Sequence, residues 1–303
     1  MASMWSLGGL TPLQLGKRVG QEISKDDLSG HAAQLAYYFL LALFPMLIFL
    51  ISLLGFLSAP GSQLREALLA NLSRVMPGSA SELVHKTIDE VFRSRGGSKL
   101  IFGILGALWA ASAGMAALTD TLNITYNVEE TRPWWKRRLV AVGLTIAVSI
   151  IVIVSLVLVL YGGRLAGFIS SHVGLGDAFV VAWRIIQWPA VLVLMCLAFA
   201  LIYYFGPNLE KPKWHWITPG AVAGVVLWLL GTFGFRIYLS YFNSYSATYG
   251  SLGALIILVL WFYISGFAVL VGGEVNSEIG RAADHADERE EQHRRIEQEL
   301  KAA

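Results

Sequence analysis

Serine, histidine, aspartate and cysteine are the side chains from which active sites are most often built, and this chain does not place them where they can meet. Ser251 stands in Tyr249-Gly250-Ser251-Leu252-Gly253, which lacks the glycine two residues before the serine that a nucleophile elbow needs. The histidine nearest to its neighbouring helix, His215, is expected at the opposite membrane face, so no nucleophile and base pair forms. Asp120 has no second carboxylate placed to share its proton, as an aspartyl dyad requires. The six histidines, at 31, 85, 172, 215, 285 and 293, show no HxH or HxxxH spacing, which excludes a tight zinc cluster. No glycine loop followed by Lys-Ser or Lys-Thr is there to cradle a phosphate. The single cysteine, Cys196, lies in an apolar run and reads as a small buried hydrophobe. Neither an enzyme nor a metal or cofactor protein is expected.

What remains able to act is a set of polar side chains within or beside apolar runs: Gln34, Arg184, Gln187, Arg236, Asn243, Tyr249 and Asn276. A charge at the centre of a bilayer costs about 2.5–3.5 kcal/mol on insertion scales and marks an ion path when present. Here Asp120, Arg184, Arg236, Glu274 and Glu278 are expected at the ends of the apolar runs. The seven polar residues could line a route for an anionic solute, with Arg184 and Arg236 as its attractive charges or, more simply, as snorkelling anchors.

The elements that must carry them follow from composition. Of 303 residues, 55% are hydrophobic and 15% charged, a membrane composition, and the net charge of +2 gives no reason to expect nucleic acid as a partner. A hydrocarbon core about 30 Å thick needs roughly 20 apolar residues of helix. Six runs meet that length, at about 33–57, 100–118, 139–161, 185–205, 214–236 and 251–273. The fold class is therefore all-α, a polytopic membrane protein of six transmembrane helices, because continuously apolar runs exclude the alternation of a membrane barrel. Asn243-Ser244-Tyr245-Ser246 supplies the turn between the last two spans. Pro45 and Pro189 interrupt the first and fourth spans. Gly114 in the second span and Gly220 and Gly224 in the fifth would let helices approach closely.

Residues 1–30 form a charged N-terminal segment with no secretory leader expected, 31–279 the six-span domain, and 280–303 a charged tail. Basic residues set the orientation: Lys17, Arg18 and Lys25, then Arg132, Lys136, Arg137 and Arg138, then Lys211 and Lys213, then the tail, 14 of the 23 Lys and Arg in all. That places both termini in the cytoplasm. Segment 58–99 departs from the rule, with Arg65, Arg74, Lys86, Arg93, Arg95 and Lys99 on the outer side. Its apolar residues recur at helical spacing, which predicts an outer amphipathic segment split at Pro77-Gly78. The tail pairs Glu290 with Arg294 and Glu297 with Lys301 at i,i+4 and reads as a solvated helix.

A set of motifs runs in order along the chain: Ala32-Ala33-Gln34-Leu35-Ala36-Tyr37-Tyr38 through Leu43-Phe44-Pro45, Asn123 to Tyr126, Arg132-Pro133-Trp134-Trp135-Lys136-Arg137-Arg138, Tyr203-Tyr204-Phe205-Gly206-Pro207-Asn208, Trp216 to Pro219-Gly220-Ala221, Tyr249 to Gly253, and Gly273-Glu274-Val275-Asn276. Together they resemble the YihY/BrkB family of bacterial inner-membrane proteins. The resemblance implies a multi-pass protein of the bacterial cell inner membrane with membrane lipids as partners. It also brings three labels: an old ribonuclease BN name, a virulence-factor name, and a suspected part in moving lipids. The sequence expectation is a transporter or flippase-like protein for an anionic amphiphile, lipid or small anion. The alternative is a non-transporting envelope scaffold or virulence-associated membrane protein, and a ribonuclease ranks last.

Overall fold

The computed structural model describes residues 4–57, 97–173, 176–210, 216–241 and 251–302. A 3-10 turn at Met4–Gly9 leads into seven α-helices: α1 Pro12–Lys25, α2 Leu28–Leu57, α3 Gly97–Thr125, α4 Trp134–Val173, α5 Gly176–Phe205, α6 Pro219–Tyr241 and α7 Ser251–Ala302. No strand occurs among the described residues. The outer segment expected at 58–99 lies, up to residue 96, outside them, as do Asn243, Tyr249, His215 and the turn 243–246.

Among the described residues, four helices contain stretches long and apolar enough to cross a membrane: Trp134–Gly163, Ala178–Phe205, Pro219–Tyr241 and Leu255–Ala286. They coincide with the last four expected spans, with different ends. The fifth begins at Pro219 rather than 214, because Thr218 is a capping residue and proline at the first helical position needs no amide partner. The third begins at Trp134, where the Pro133 carbonyl accepts from the amides of Lys136 and Arg137. The two remaining long helices, α2 and α3, contain 30 and 29 residues. α2 runs through Pro45 and α5 through Pro189.

The bundle is apolar outside and admits small and polar side chains among the apolar ones inside. Ile150, Val154, Ile185, Leu230 and Phe233 are exposed, while Ser112, Thr119, Thr145 and Ser149 are buried. The buried hydroxyls bond back to carbonyls of their own helices, Ser112 to Trp109, Thr119 to Ala116, Thr145 to Ala141 and Ser149 to Thr145. α7 packs against α6 and α2, α2 against α3, and α4 against both α3 and α5. The main core joins Leu28, Ala32 and Leu35 of α2, Leu118 and Leu122 of α3, Ile202 and Tyr203 of α5, Ala221 of α6, and Val269 and Leu270 of α7.

α1 is too short to span. Thr11 and Gln14 close a reciprocal capping box at its start, and its apolar side, Leu15 and Val19, packs on Ile279 of α7. The N-terminal segment thus lies against the end of the bundle from which α7 emerges.

Candidate functional site

Three polar networks meet at the end of the bundle that carries Trp134, Trp135 and Trp216, all exposed. The first holds the 126–133 loop to the end of α5. α3 stops in a Schellman turn: Asn127 takes the left-handed conformation (φ 52°), its amide bonds the Ile124 carbonyl, and the Val128 amide bonds the Asn123 carbonyl. That turn aims the Asn123 side chain outward along the loop, where its amide nitrogen donates to Glu130 at 2.8 Å and its oxygen accepts from the Asn208 backbone at 2.7 Å. Arg132 donates to Glu130 through Nε at 2.8 Å and through its terminal nitrogen at 2.6 Å. The same guanidinium donates to the carbonyls of Phe205 and Gly206, satisfying acceptors that the end of α5 leaves open. Asn208 completes the clasp by donating to the Glu129 carbonyl and the Thr131 hydroxyl. The Arg132 fork holds the Glu130 carboxyl well below its ordinary range, at about 2.

The second network seats α6 on α7. With Pro219 first, the two free amides of the opening turn are those of Gly220 and Ala221. Asn276 of α7 accepts from Gly220 at 2.9 Å, and the Thr218 hydroxyl accepts from Ala221 at 3.1 Å. The Asn276 amide nitrogen then donates to the Thr218 hydroxyl at 3.0 Å. The crossing is close enough that only glycine fits. A methyl at Gly220 would overlap the Gly272 carbonyl and approach Asn276 to 2.5 Å, and one at Gly272 would come within 2.5 Å of the Gly220 carbonyl. Tyr203 of α5 braces the crossing from below by donating to the Val269 carbonyl at 2.7 Å.

The third network is ionic. Glu274 and Glu278 of α7 are almost wholly enclosed, with Glu274 at 0% exposure. Arg281, seven residues beyond Glu274, donates to it at 2.7 Å and lies 2.9 Å from Glu278. From α1, Glu22 approaches Arg281 and Arg18 approaches Glu278, each at 3.7 Å. Lys25 also pairs with Glu22. One Glu274 oxygen and one Asp26 oxygen are buried with no hydrogen-bond partner. The sequence reading sets Glu274 at the end of the sixth apolar run, and the structure encloses it at that end of the bundle, with one oxygen on Arg281 and the other unpartnered. A buried carboxylate left half-satisfied is costly.

The proposed lining residues that are described stand on different elements. Asn276 sits in the α6–α7 crossing. Gln34 is exposed on α2, and Arg236 is exposed on α6. Arg184, exposed, and Gln187, half-buried, share α5, about 28 and 24 Å along it from Tyr203 at 1.5 Å per residue. Asn243 and Tyr249 are outside the described residues. The residues that build these networks, Asn123, Glu130, Arg132, Asn208, Thr218, Gly220 and Glu274, are, apart from Glu130, motif residues whose mutual contacts no local pattern announces. One signal was available, the Glu274, Glu278, Arg281 spacing of i, i+4 and i+7, which stacks acid, acid and base on one helical face.

Among the described residues no three His, Cys, Asp or Glu side chains are grouped to hold a metal ion. A family profile described as Virulence factor BrkB matches residues 19–297. Ribonuclease-like protein YfkH of Bacillus subtilis is 37% identical over 257 residues, covering 85% of this chain and 92% of that protein. A UPF0761 membrane protein of Alteromonas mediterranea is 28% identical and covers 86% of this chain and 88% of its own. One of Vibrio vulnificus is 29% identical, with 85% and 80% covered. No solved structure matches.

Proposed function

With a match that spans residues 19–297, the chain belongs to the BrkB virulence-factor family of membrane proteins, and from that premise we propose that it is an inner-membrane transporter or flippase-like protein. Its cargo in this reading is an anionic amphiphile, a lipid or a small anion, and its six spans include α2 and α3. Both termini are then cytoplasmic, with the Trp134 end inward. The observation that supports this reading is Glu274, an enclosed carboxylate with one oxygen unpartnered in a helix whose apolar stretch crosses the bilayer. Ionisable groups kept at such cost inside membrane bundles belong to substrate, ion or proton paths. Glu274 is held by Arg281, which also approaches Glu22 of α1, so a change in its charge would act on both α7 and α1.

Reconstitution in liposomes tests the reading. Purified protein should move a fluorescent anionic phospholipid, or chloride, faster than empty vesicles do. If neither moves, the transport reading is lost. The scaffold alternative draws on the tail of α7, which continues as an exposed charged helix past the bundle, and on the virulence name of the family. It predicts that deleting the tail abolishes partner capture while substitutions inside the bundle do not. The ribonuclease name of the Bacillus relative leads to a third and weakest reading, metal-dependent RNA cleavage by a pure preparation.

A further inference from the structure

Two adjacent arginines at the start of α4 reach in opposite directions along α3. Arg137 pairs with Asp120, near the end of α3 at Thr125. Arg138 donates instead to the backbone carbonyl of Trp109, and its guanidinium carbon sits 4.2 Å from the centre of the Trp109 ring. Asp120 and Trp109 are separated along α3 by about 16 Å at 1.5 Å per residue. α3 runs toward the Trp134 end of the bundle and α4 runs away from it, so Arg137 points out of the bilayer and Arg138 points into it. The Arg138 backbone already lies about 6 Å inward of Trp134 by the same rise, as deep as a headgroup layer of about 5–7 Å, and the side chain carries its charge deeper. An arginine that serves as an anchor does the reverse and extends outward to the interface.

The charge is left without a counterion. Asp120 is taken by Arg137, and among the described residues no carboxylate pairs with Arg138. The Trp109 carbonyl that receives it also accepts from the Ser112 hydroxyl at 2.8 Å. Arg138 Nε is buried with no hydrogen-bond partner, whereas Nη1 donates to no described residue and is not enclosed. Arg138 as a whole is half-buried, and Leu105, Trp109, Trp135 and Leu139 of the same two helices are exposed. A guanidinium open on an apolar, lipid-facing flank is costly unless an anion accompanies it, and local thinning that lowers headgroups toward the charge is how a bilayer meets that demand. The planar fork suits phosphate oxygens while the indole covers one of its faces.

We infer that this α3–α4 flank binds an anionic phospholipid of the leaflet at the Trp134 end, its phosphate drawn inward onto Nη1 of Arg138 and its first acyl carbons lying on Trp109 and Leu105. Leu105 stands four residues before Trp109 and continues the same helical face one turn deeper. The apolar surroundings select a lipid over a free anion. Binding is an equilibrium property that goes beyond the transport reading, and its test measures no transport, so either can fail without the other.

Native mass spectrometry of the full chain in detergent, titrated with phosphatidylglycerol or phosphatidylethanolamine, reads the affinity. The wild-type protein should retain phosphatidylglycerol about tenfold more tightly, the order expected of one added contact between cation and anionic lipid. Arg138→Gln should erase that preference, while Lys17→Gln, which removes a charge exposed on α1, should leave it intact. Excess inorganic phosphate should not displace the lipid. In the unsubstituted chain, phosphatidylglycerol with a photoreactive group near the ester end of its acyl chain should label the peptide that holds Leu105 and Trp109. Equal retention of the two lipids by the wild type, equal losses from the two substitutions, displacement by inorganic phosphate, or labelling confined to other helices each overturns the inference. The labelling needs no variant, so a substitution that prevents folding does not shelter the idea.

Discussion

Gly220→Ala is the sharpest probe of how α6 is seated on α7. The added methyl would overlap the Gly272 carbonyl, a backbone atom that cannot rotate away, and would press on Asn276 at 2.5 Å. Overpacking of this kind costs about 1–3 kcal/mol. Pushing the helices apart also breaks the 2.9 Å bond from Gly220 to Asn276 and strands a buried amide, for about 1–3 kcal/mol more. A helix-propensity gain of about 0.5–1 kcal/mol for alanine over glycine offsets part of this. The net is a loss of about 3 kcal/mol, or roughly 6–12 °C in apparent Tm at the usual 2–4 °C per kcal/mol for chains of this order. The ten tryptophans give an intrinsic signal for a thermal scan at fixed rate in one detergent. Gly234→Ala, where a methyl meets nothing within 4 Å, is the matched control and should leave Tm unchanged or slightly raised. Because the backbone clash does not depend on Asn276 while the stranded amide does, about 1 kcal/mol of the loss, the overpacking less the propensity gain, should persist when Gly220→Ala is made in an Asn276→Ala background. A Gly220→Ala shift within 2 °C of the control, or full rescue in that background, would refute the close-crossing argument.

The clasp predicts an acid response. With Glu130 at about 2 instead of its ordinary 4.5, its stabilisation is complete above about pH 4.5 and is lost as pH falls through about 2, amounting to about 3 kcal/mol at 1.36 kcal/mol per unit. Thermal scans between pH 5 and 2.5 should therefore show Glu130→Gln converging on wild type as the pH drops, and a constant gap would count against the assigned cause. Arg132→Lys should behave much like Arg132→Gln, losing about 2–3 kcal/mol, because one ammonium cannot serve both Glu130 and the Phe205 and Gly206 carbonyls; a Tm equal to wild type for the lysine variant would show the fork to be unnecessary. Glu274→Gln removes a half-satisfied buried charge, so the bundle should melt no lower than wild type while movement of the labelled anion falls at least tenfold; unchanged transport would remove Glu274 from the path.

The sequence made the helices easy to read and their joins hard. Apolar runs placed α4 to α7 because lipid imposes one demand at every residue. The start of the fifth span came out five residues early, since an uncharged stretch resembles helix until Thr218 and Pro219 are recognised as a cap and a first turn. Glu274 was placed at the end of the sixth apolar run because a hydropathy run breaks at any carboxylate. Whether such a residue is solvated or enclosed depends on α1 arriving from elsewhere in the chain. The clasp and the crossing were visible only as motifs. Their contacts join residues 85 and 56 positions apart, Asn208 with Asn123 and Gly220 with Asn276, and separations of that size carry no periodic signal.

α7 is one rod of 52 residues, about 78 Å at 1.5 Å per residue, and no proline follows Pro219 to break it. Its core-side stretch bears Gly272, Glu274 and Asn276, and its far stretch stands clear of the bundle. Such a rod behaves as a shaft: torque applied to the projecting end reaches the glycine crossing without a hinge to dissipate it. A 20° twist about the axis sweeps a Cα at the usual radius of about 2.3 Å through about 0.8 Å, comparable with the slack that the Gly220 and Gly272 contact lacks. Load on the tail is thus resisted by the Arg18, Glu22 and Arg281 contacts with α1, which act as the bearing in which the shaft is held.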